Sequence, residues 1–348
     1  MDSIQYMGNA VLMETSDPVI VHQRVYAALR RGVPPAALRD LLGNEPGAPS
    51  DQNESRRQRA SDPRLFAEFL PLFAIRPLYN QTLYLFSRSG IGLVRSGVLI
   101  SVLSYFGLGV LLFEWVRPYT TPTLSFLLPL LCMLTPPLTA LGRDTTSDAL
   151  ATLIAMGSLY LIFEKRLLAI GVVFLLLSIF FRTDFVALAG PVILILWVQD
   201  RLPLWQGAVL SVVAVSSVLC INHFAGDYGI GMLYYRNFVG TPVAPAEMSV
   251  HLSVHGYLAA FRSGITKASE SFFFPFVLLG VSGARSKFGL PVLVATLLYV
   301  VLHFLILPNW QERWFGVFYL SAVICAADTL NEAVRARLPE RRTVPSPV

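Results

Sequence analysis

From residue 96 to residue 330 the chain alternates long apolar runs with short polar connections. The runs are 96–116, 123–142, 149–163, 167–181, 185–198 and 204–222, then, after a polar stretch at 223–270, 271–284, 288–308 and 315–330. A helix that crosses a bilayer takes about 20 mainly apolar residues, so the pattern predicts an all-α, polytopic transmembrane bundle of about nine spans. The runs at 185–198 and 271–284 are short for that role. The N-terminal segment, 1–95, reads differently. VHQRVYAALRRG (21–32) and PAALRDLLG (35–43) have the spacing of short amphipathic helices, the second stopped by Gly43. Residues 44–63 are rich in turn formers and charge and predict a loop. Residues 64–86 are apolar but broken by Glu68, Pro71, Arg76 and Pro77, which suits a helix pair lying in the membrane interface.

Composition supports a membrane protein. Only 14% of residues are charged and the mean hydropathy is +0.59, whereas a soluble domain carries about 25% charged residues. Of the 27 basic residues only Lys165, Lys267 and Lys287 are lysines. The basic excess is spread between apolar runs, as in membrane topology signals, and forms no cluster suited to nucleic acid. Cys132, Cys220 and Cys325 all fall inside apolar runs and are not a disulfide framework. The sequons at Asn53 and Asn80 matter only in a eukaryote, and the preference for Arg over Lys points to a GC-rich bacterium and its inner membrane.

Alternating the connections between two sides gives the orientation. One side receives Arg117, Lys165, Arg166, Arg201, Arg285, Lys287 and the tail residues Arg335, Arg337, Arg341 and Arg342; the other side's short loops hold Arg143, Arg182 and Arg313. The positive-inside rule makes the first group cytoplasmic, with Arg88 and Arg95 counting against it. The expected organisation is an extracytoplasmic segment over 1–95, a transmembrane domain over 96–330 with an outer loop at 223–270, and a basic cytoplasmic tail over 331–348. MDSIQYMGNA carries no signal peptide. An outer N-terminus then implies that a first transmembrane helix precedes this sequence.

Polar residues beside membrane helices need a reason, and the outer side gathers them: Asp2 and Tyr6, Arg143-Asp144 through Asp148, Arg182-Thr183-Asp184, and Glu312-Arg313 between Trp310 and Trp314. Carboxylates, guanidiniums and aromatics together suit binding of an anionic group and acid/base work. In these residues, in their order and common side, the chain resembles the GT-C superfamily of integral-membrane glycosyltransferases, which use polyprenyl-phosphate sugars as donors. The match includes Asp2 with Tyr6, an Arg-Pro-Leu-Tyr stretch at 76–79, Ser-Asp-Ala-Leu at 147–150 after Pro136-Pro137, Arg-Thr-Asp at 182–184, and the Glu-Arg-aromatic element at 312–314. The resemblance implies sugar transfer on the extracytoplasmic face to a glycan, lipid or protein acceptor; no cofactor is expected, and because Asp2 has no adjacent acid no metal site is expected there. It makes Asp2 the matching catalytic base, with Asp144 and Asp148 as further catalytic candidates. It makes Tyr6, Arg76, Arg143, Arg182, Asp184, Glu312 and Arg313 candidate contacts to the donor.

Plainer readings stand beside these. Asp2 sits at a terminus, and Asp148 suits a helix N-terminus. Arg143-Asp144 is a possible surface pair, Arg182-Asp184 a snorkelling boundary pair, and Trp310 and Trp314 an interfacial belt. Glu247, His251 and His255, spaced four apart, share a helix face; a solvated face is the default and a metal the exception. Val254, Leu258, Phe261 and Ile265 form an apolar stripe suited to a membrane surface. His303, in mid-run, predicts a hydrogen bond to a neighbouring helix. The rival functional class is a secondary transporter, against which stand the lack of an internal repeat and the gathering of charge at one face. A non-catalytic scaffold is the third reading.

Overall fold

The computed structural model describes residues 2–248, 253–283 and 289–337. His251, Arg285, Lys287, Arg341 and Arg342 lie outside the described residues. The described residues are helical throughout, with turns between and no strand.

In the N-terminal segment, proline and aspartate set the starts of the helices. Asp17 caps Pro18–Gly32, its carboxylate accepting from the amides of Val19 and Ile20; Asp62 caps Pro63–Phe69 in the same way through Arg64. The expected broken apolar stretch is three short helices, Pro63–Phe69, Pro71–Ala74 and Pro77–Phe86, each opening on a proline. Pro35–Arg39 runs on into a turn that ends at Gly43, whose φ of 94° only glycine adopts readily. Val21, Val25, Tyr26 and Leu29 of Pro18–Gly32 are buried, with Tyr26 and His22 edge-on to Phe66. That apolar face is therefore covered by protein.

The expected loop at 44–63 is largely a helix, Ser50–Ser61. Its residues are polar all round, a pattern that gives no amphipathic signal. Tertiary polar contacts hold it instead. Arg56 pairs with Glu45 at 2.6 Å, Ser55 Oγ donates to the Pro242 carbonyl, and the His22 ring lies 3.1 Å from the Ala60 carbonyl.

Among the described residues three helices are long and apolar enough to cross a membrane: Leu93–Tyr119, Leu204–Phe224 and Gly289–Ile306. Pro122–Met133 and Pro136–Arg143 make a fourth if the pair, bent by 70° at the Pro-Pro break, is one span. Leu168–Phe181, Thr183–Val198 and Phe273–Ser282 are apolar but shorter. The nine runs thus do not correspond to nine full-length helices. The polar breaks that end them, Arg182-Thr183-Asp184 above all, turn inward to other helices. Phe106, Val110, Phe126, Leu131, Val173, Val212 and Leu219 are exposed, an apolar surface larger than water-soluble monomers show and suited to lipid.

At the centre runs Gly316–Arg337. Residues Val317 to Ala327 are buried on every side, which makes this helix the axis of the bundle and not a lipid-facing wall. Small residues let its neighbours close on it. A Cβ on Gly283 would lie 2.1 Å from the Cys325 carbonyl oxygen, and one on Gly289 2.4 Å from the Cys325 Cα.

The polar stretch at 223–270 holds two further helices, Gly229–Phe238 and Val254–Ser269. The first lies against the N-terminal segment: the Tyr228 hydroxyl donates to the Glu68 carbonyl and the Thr241 amide to Asp51. On the second, Val254, Leu258 and Ile265 are exposed, while Phe261 packs on Phe304.

Candidate active site

A cavity of about 490 Å³ opens between the N-terminal segment, Gly229–Phe238 and the connections at 144–148, 182–184 and 309–314. Seven cationic side chains line it: Arg56, Arg59, Arg76, Arg182, Arg236, Lys267 and Arg313. Three carboxylates, Asp2, Asp148 and Asp184, face them.

The charges form one chain of ion pairs. Asp2, at the mouth of Ser3–Leu12, takes Arg236 on one oxygen at 2.8 Å and Arg313 on the other at 3.4 Å. Arg313 also reaches Asp144 and Asp148, each at 3.4 Å. Asp148 begins Asp148–Leu159, where the helix dipole favours a carboxylate. It accepts from Thr146 Oγ1 at 2.9 Å and from Arg182 at 3.0 Å. Arg182 then holds Asp184 through two parallel contacts. Asp184 ends the chain on His303 Nε2 at 3.1 Å and the Tyr299 hydroxyl at 3.3 Å.

The local sequence explains this geometry. Arg182 leaves the helical path after its amide closes Leu168–Phe181 on the Ser178 carbonyl. The two-residue step to Asp184 then brings its carboxylate under the same guanidinium. The Arg182 and Asp148 side chains are 2% and 3% exposed, so each needs its partner: an unpaired buried charge costs several kcal/mol.

The electrostatics follow. Burial alone raises the Asp2 carboxyl, but the Arg236 and Arg313 guanidiniums overcome it and hold Asp2 well below the usual carboxylate range. Burial would lower Arg313, yet Asp148, Asp2 and Asp144 keep it firmly protonated, above its ordinary value. Burial pushes the Tyr6 hydroxyl up to about 12, so it is neutral when it receives its hydrogen bond from Arg76.

The structure brings Asp2, Tyr6, Arg76, Asp144, Asp148, Arg182, Asp184 and Arg313 together. Two expected residues stand apart. Arg143 is 81% exposed and touches only Asp144, at 3.5 Å. Glu312 points away, accepting from the Phe272 amide beside the start of Phe273–Ser282. Trp310 is buried against Phe315 and Phe273, and both it and Trp314 line the cavity. The hydrogen bond expected of His303 exists, but to Asp184 in a connection.

Sequence reasoning missed Arg236, Tyr299, Arg56 and Arg59. Arg236 lay in a stretch read as an outer loop, and the two arginines of Ser50–Ser61 in one read as a surface loop; nothing in their local pattern marks them. Among the described residues no group of His, Cys, Asp or Glu is disposed to hold a metal ion. No protein-family model, curated protein or solved structure matches the chain.

Proposed function

We propose that the protein is a membrane glycosyltransferase that moves a sugar from a polyprenyl-phosphate donor to an acceptor on the extracytoplasmic face of a bacterial inner membrane. The reading takes the apolar runs as about nine spans, with the N-terminal segment outside and the C-terminus cytoplasmic. The observation that carries it is the cavity itself, where guanidiniums and carboxylates alternate around a space of about 490 Å³ beside helices apolar enough for lipid.

In this reading the donor phosphate lies at Arg76, Arg182 and Arg313 and its prenyl tail among the spans. The acceptor hydroxyl oxygen forms a bond to the anomeric carbon as the bond from that carbon to the phosphate oxygen breaks. The hydroxyl proton passes to the Asp2 carboxylate and the polyprenyl phosphate leaves with the bonding electron pair. Arginines held by carboxylates are pre-aimed at the charge that grows on the phosphate. Their planar forks make two parallel bonds to its oxygens, which lysine cannot do.

The test is binding of undecaprenyl phosphate by the detergent-solubilised protein. Arg76→Lys, Arg182→Lys and Arg313→Lys should each weaken it, whereas Arg143→Lys, Arg117→Lys, Arg166→Lys and Arg201→Lys should not. Equal behaviour of the two sets removes the phosphate assignment. Cysteines placed at Arg143 and Lys165 should label from opposite sides of the membrane, and labelling from one side overturns the orientation.

One observation favours a transporter. His303 lies on Gly289–Ile306 and is buried against Asp184, and ionisable groups within spans mark ion pathways. Proton-coupled uptake by proteoliposomes, abolished by His303→Ala, would replace the transferase reading.

A further inference from the structure

The cavity has a second cationic end. Ser50–Ser61 is polar all round, yet it buries Ser55, Arg56 and Arg59 and leaves Asp51, Glu54, Arg57 and Ser61 exposed. Both guanidiniums line the cavity and both residues are 6% exposed. Arg236 joins them from Gly229–Phe238. Its guanidinium carbon is 5.8 Å from the centre of the Phe69 ring, and that of Arg59 is 3.9 Å from the same ring; Arg236 also lies 4.5 Å over Phe73. Two guanidiniums thus share one phenyl ring, that of Arg59 buried and that of Arg236 partly exposed. Burial, opposed by Tyr26 and reinforced by repulsion from Arg236 and Arg56, pulls Arg59 down to about 10. Like charges gathered this way are stabilised by an anion set among them.

Asp2 divides this end from the other. One of its oxygens takes Arg236 and the second takes Arg313. Asp2 therefore stands between two cationic pockets, with one carboxylate oxygen turned to each.

We propose that Arg56, Arg59 and Arg236 form a second anion subsite, separate from the donor-phosphate end, and that it takes a carboxylate or phosphate group of the acceptor. The acceptor is therefore an acidic molecule, an inference that rests on the transferase reading. Arg56 keeps Glu45 as a partner, Arg236 keeps Asp2, and Arg59 donates to the Ser55 carbonyl; a guanidinium carries five N–H groups, so such partners and an oxyanion can be held together.

The test is the stoichiometry of inorganic phosphate binding to the detergent-solubilised chain, titrated at constant ionic strength. Wild type should bind two phosphates. Arg59→Gln should bind one, the affinity of the other site falling at least about tenfold, as expected for losing a charge-assisted hydrogen bond. Arg56→Gln should weaken the same site, and Arg59→Lys should restore it in part. Both serve as checks if Arg59→Gln does not fold. Undecaprenyl phosphate should displace one phosphate only, the one that Arg59→Gln retains. A single phosphate insensitive to all three substitutions overturns the second subsite and leaves the donor reading intact. Two phosphates, neither displaced by the lipid, uphold the subsite and remove the donor reading. Displacement of both by the lipid overturns the assignment to the acceptor. Acidic and neutral analogues of one acceptor sugar then separate the sources: competition by a carboxylated sugar, a phosphorylated sugar or both identifies the group, and competition by neither overturns the proposal.

Discussion

Two connections carry the same pair of residue types and use them in opposite ways. In the connection at 143–148, Arg143 and Asp144 are adjacent, and their contact is a long 3.5 Å with the arginine 81% exposed. In the connection at 182–184, Arg182 and Asp184 are two apart, the arginine is 2% exposed, and its guanidinium is shared between Asp184 and Asp148. An adjacent pair on a helix end points its side chains apart, whereas the step from extended Arg182 into the tight turn Thr183–Phe185 folds the second side chain back under the first. The energetic difference is larger than the geometric one. A surface pair contributes about 0–1 kcal/mol, while a buried charge with its partner removed costs about 3–5 kcal/mol.

The largest test of that contrast is Arg182→Gln. It takes the 3.0 Å partner from buried Asp148, which keeps only the longer contact to Arg313, and the guanidinium from part-buried Asp184, and unfolding in detergent should show a loss of about 3–5 kcal/mol. A loss under 1 kcal/mol would mean that the two connections are equivalent. Asp2→Asn comes next and reads function instead of stability. Turnover should fall by about 10²–10⁴ with undecaprenyl phosphate binding retained; an unchanged rate moves the base to Asp144 or Asp148.

Arg313→Gln links the two connections, because Arg313 reaches Asp144 of one and Asp148, the partner of Arg182. It is about one-fifth exposed, and the expected loss is about 1.5–3 kcal/mol, the range of hydrogen bonds to charged groups. The same variant carries a pH signature. The folded pKa of Asp2 is depressed, so its contribution is complete above about pH 4, the ordinary aspartate value, and is lost as pH falls through the folded value. Removing one of the cations that depress it should bring the folded value back toward the ordinary one, so that less thermal stability is lost in acid and the loss is complete at a higher pH than in wild type. The smallest effect belongs to Arg143→Gln, within about 0.5 kcal/mol and with the acid limb unmoved. A larger effect would show that Arg143 has a partner its exposure conceals.

The chemistry-bearing residues were legible in the sequence where they interrupt an apolar run. Arg182-Thr183-Asp184 and Arg313 stand out because burying or bordering lipid with a charge demands a reason, and both are in the network. His303 stands out for the same cause. Arg56, Arg59 and Arg236 lie in polar surroundings, where one more arginine carries no signal; only the fold reveals that they face inward. The helical class was legible from the runs, but helix length was not. The Pro-Pro step at 136–137 and the inward-turning charges cut apolar sequence into shorter helices, and hydropathy averages over such breaks. The helix at Ser50–Ser61 was invisible because the contacts that hold it come from Glu45, His22 and Pro242.

The hub at Arg313 also sets an order of construction. Its partners Asp2 and Asp144 lie 311 and 169 residues earlier in the chain. During synthesis these carboxylates leave the ribosome long before the cation that joins them, and contacts of such separation form late. The cavity is thus among the last features completed. A chain stopped short of Arg313 would lack the guanidinium that joins Asp2, Asp144 and Asp148. Such a chain is a natural target for the quality control that removes unassembled membrane proteins.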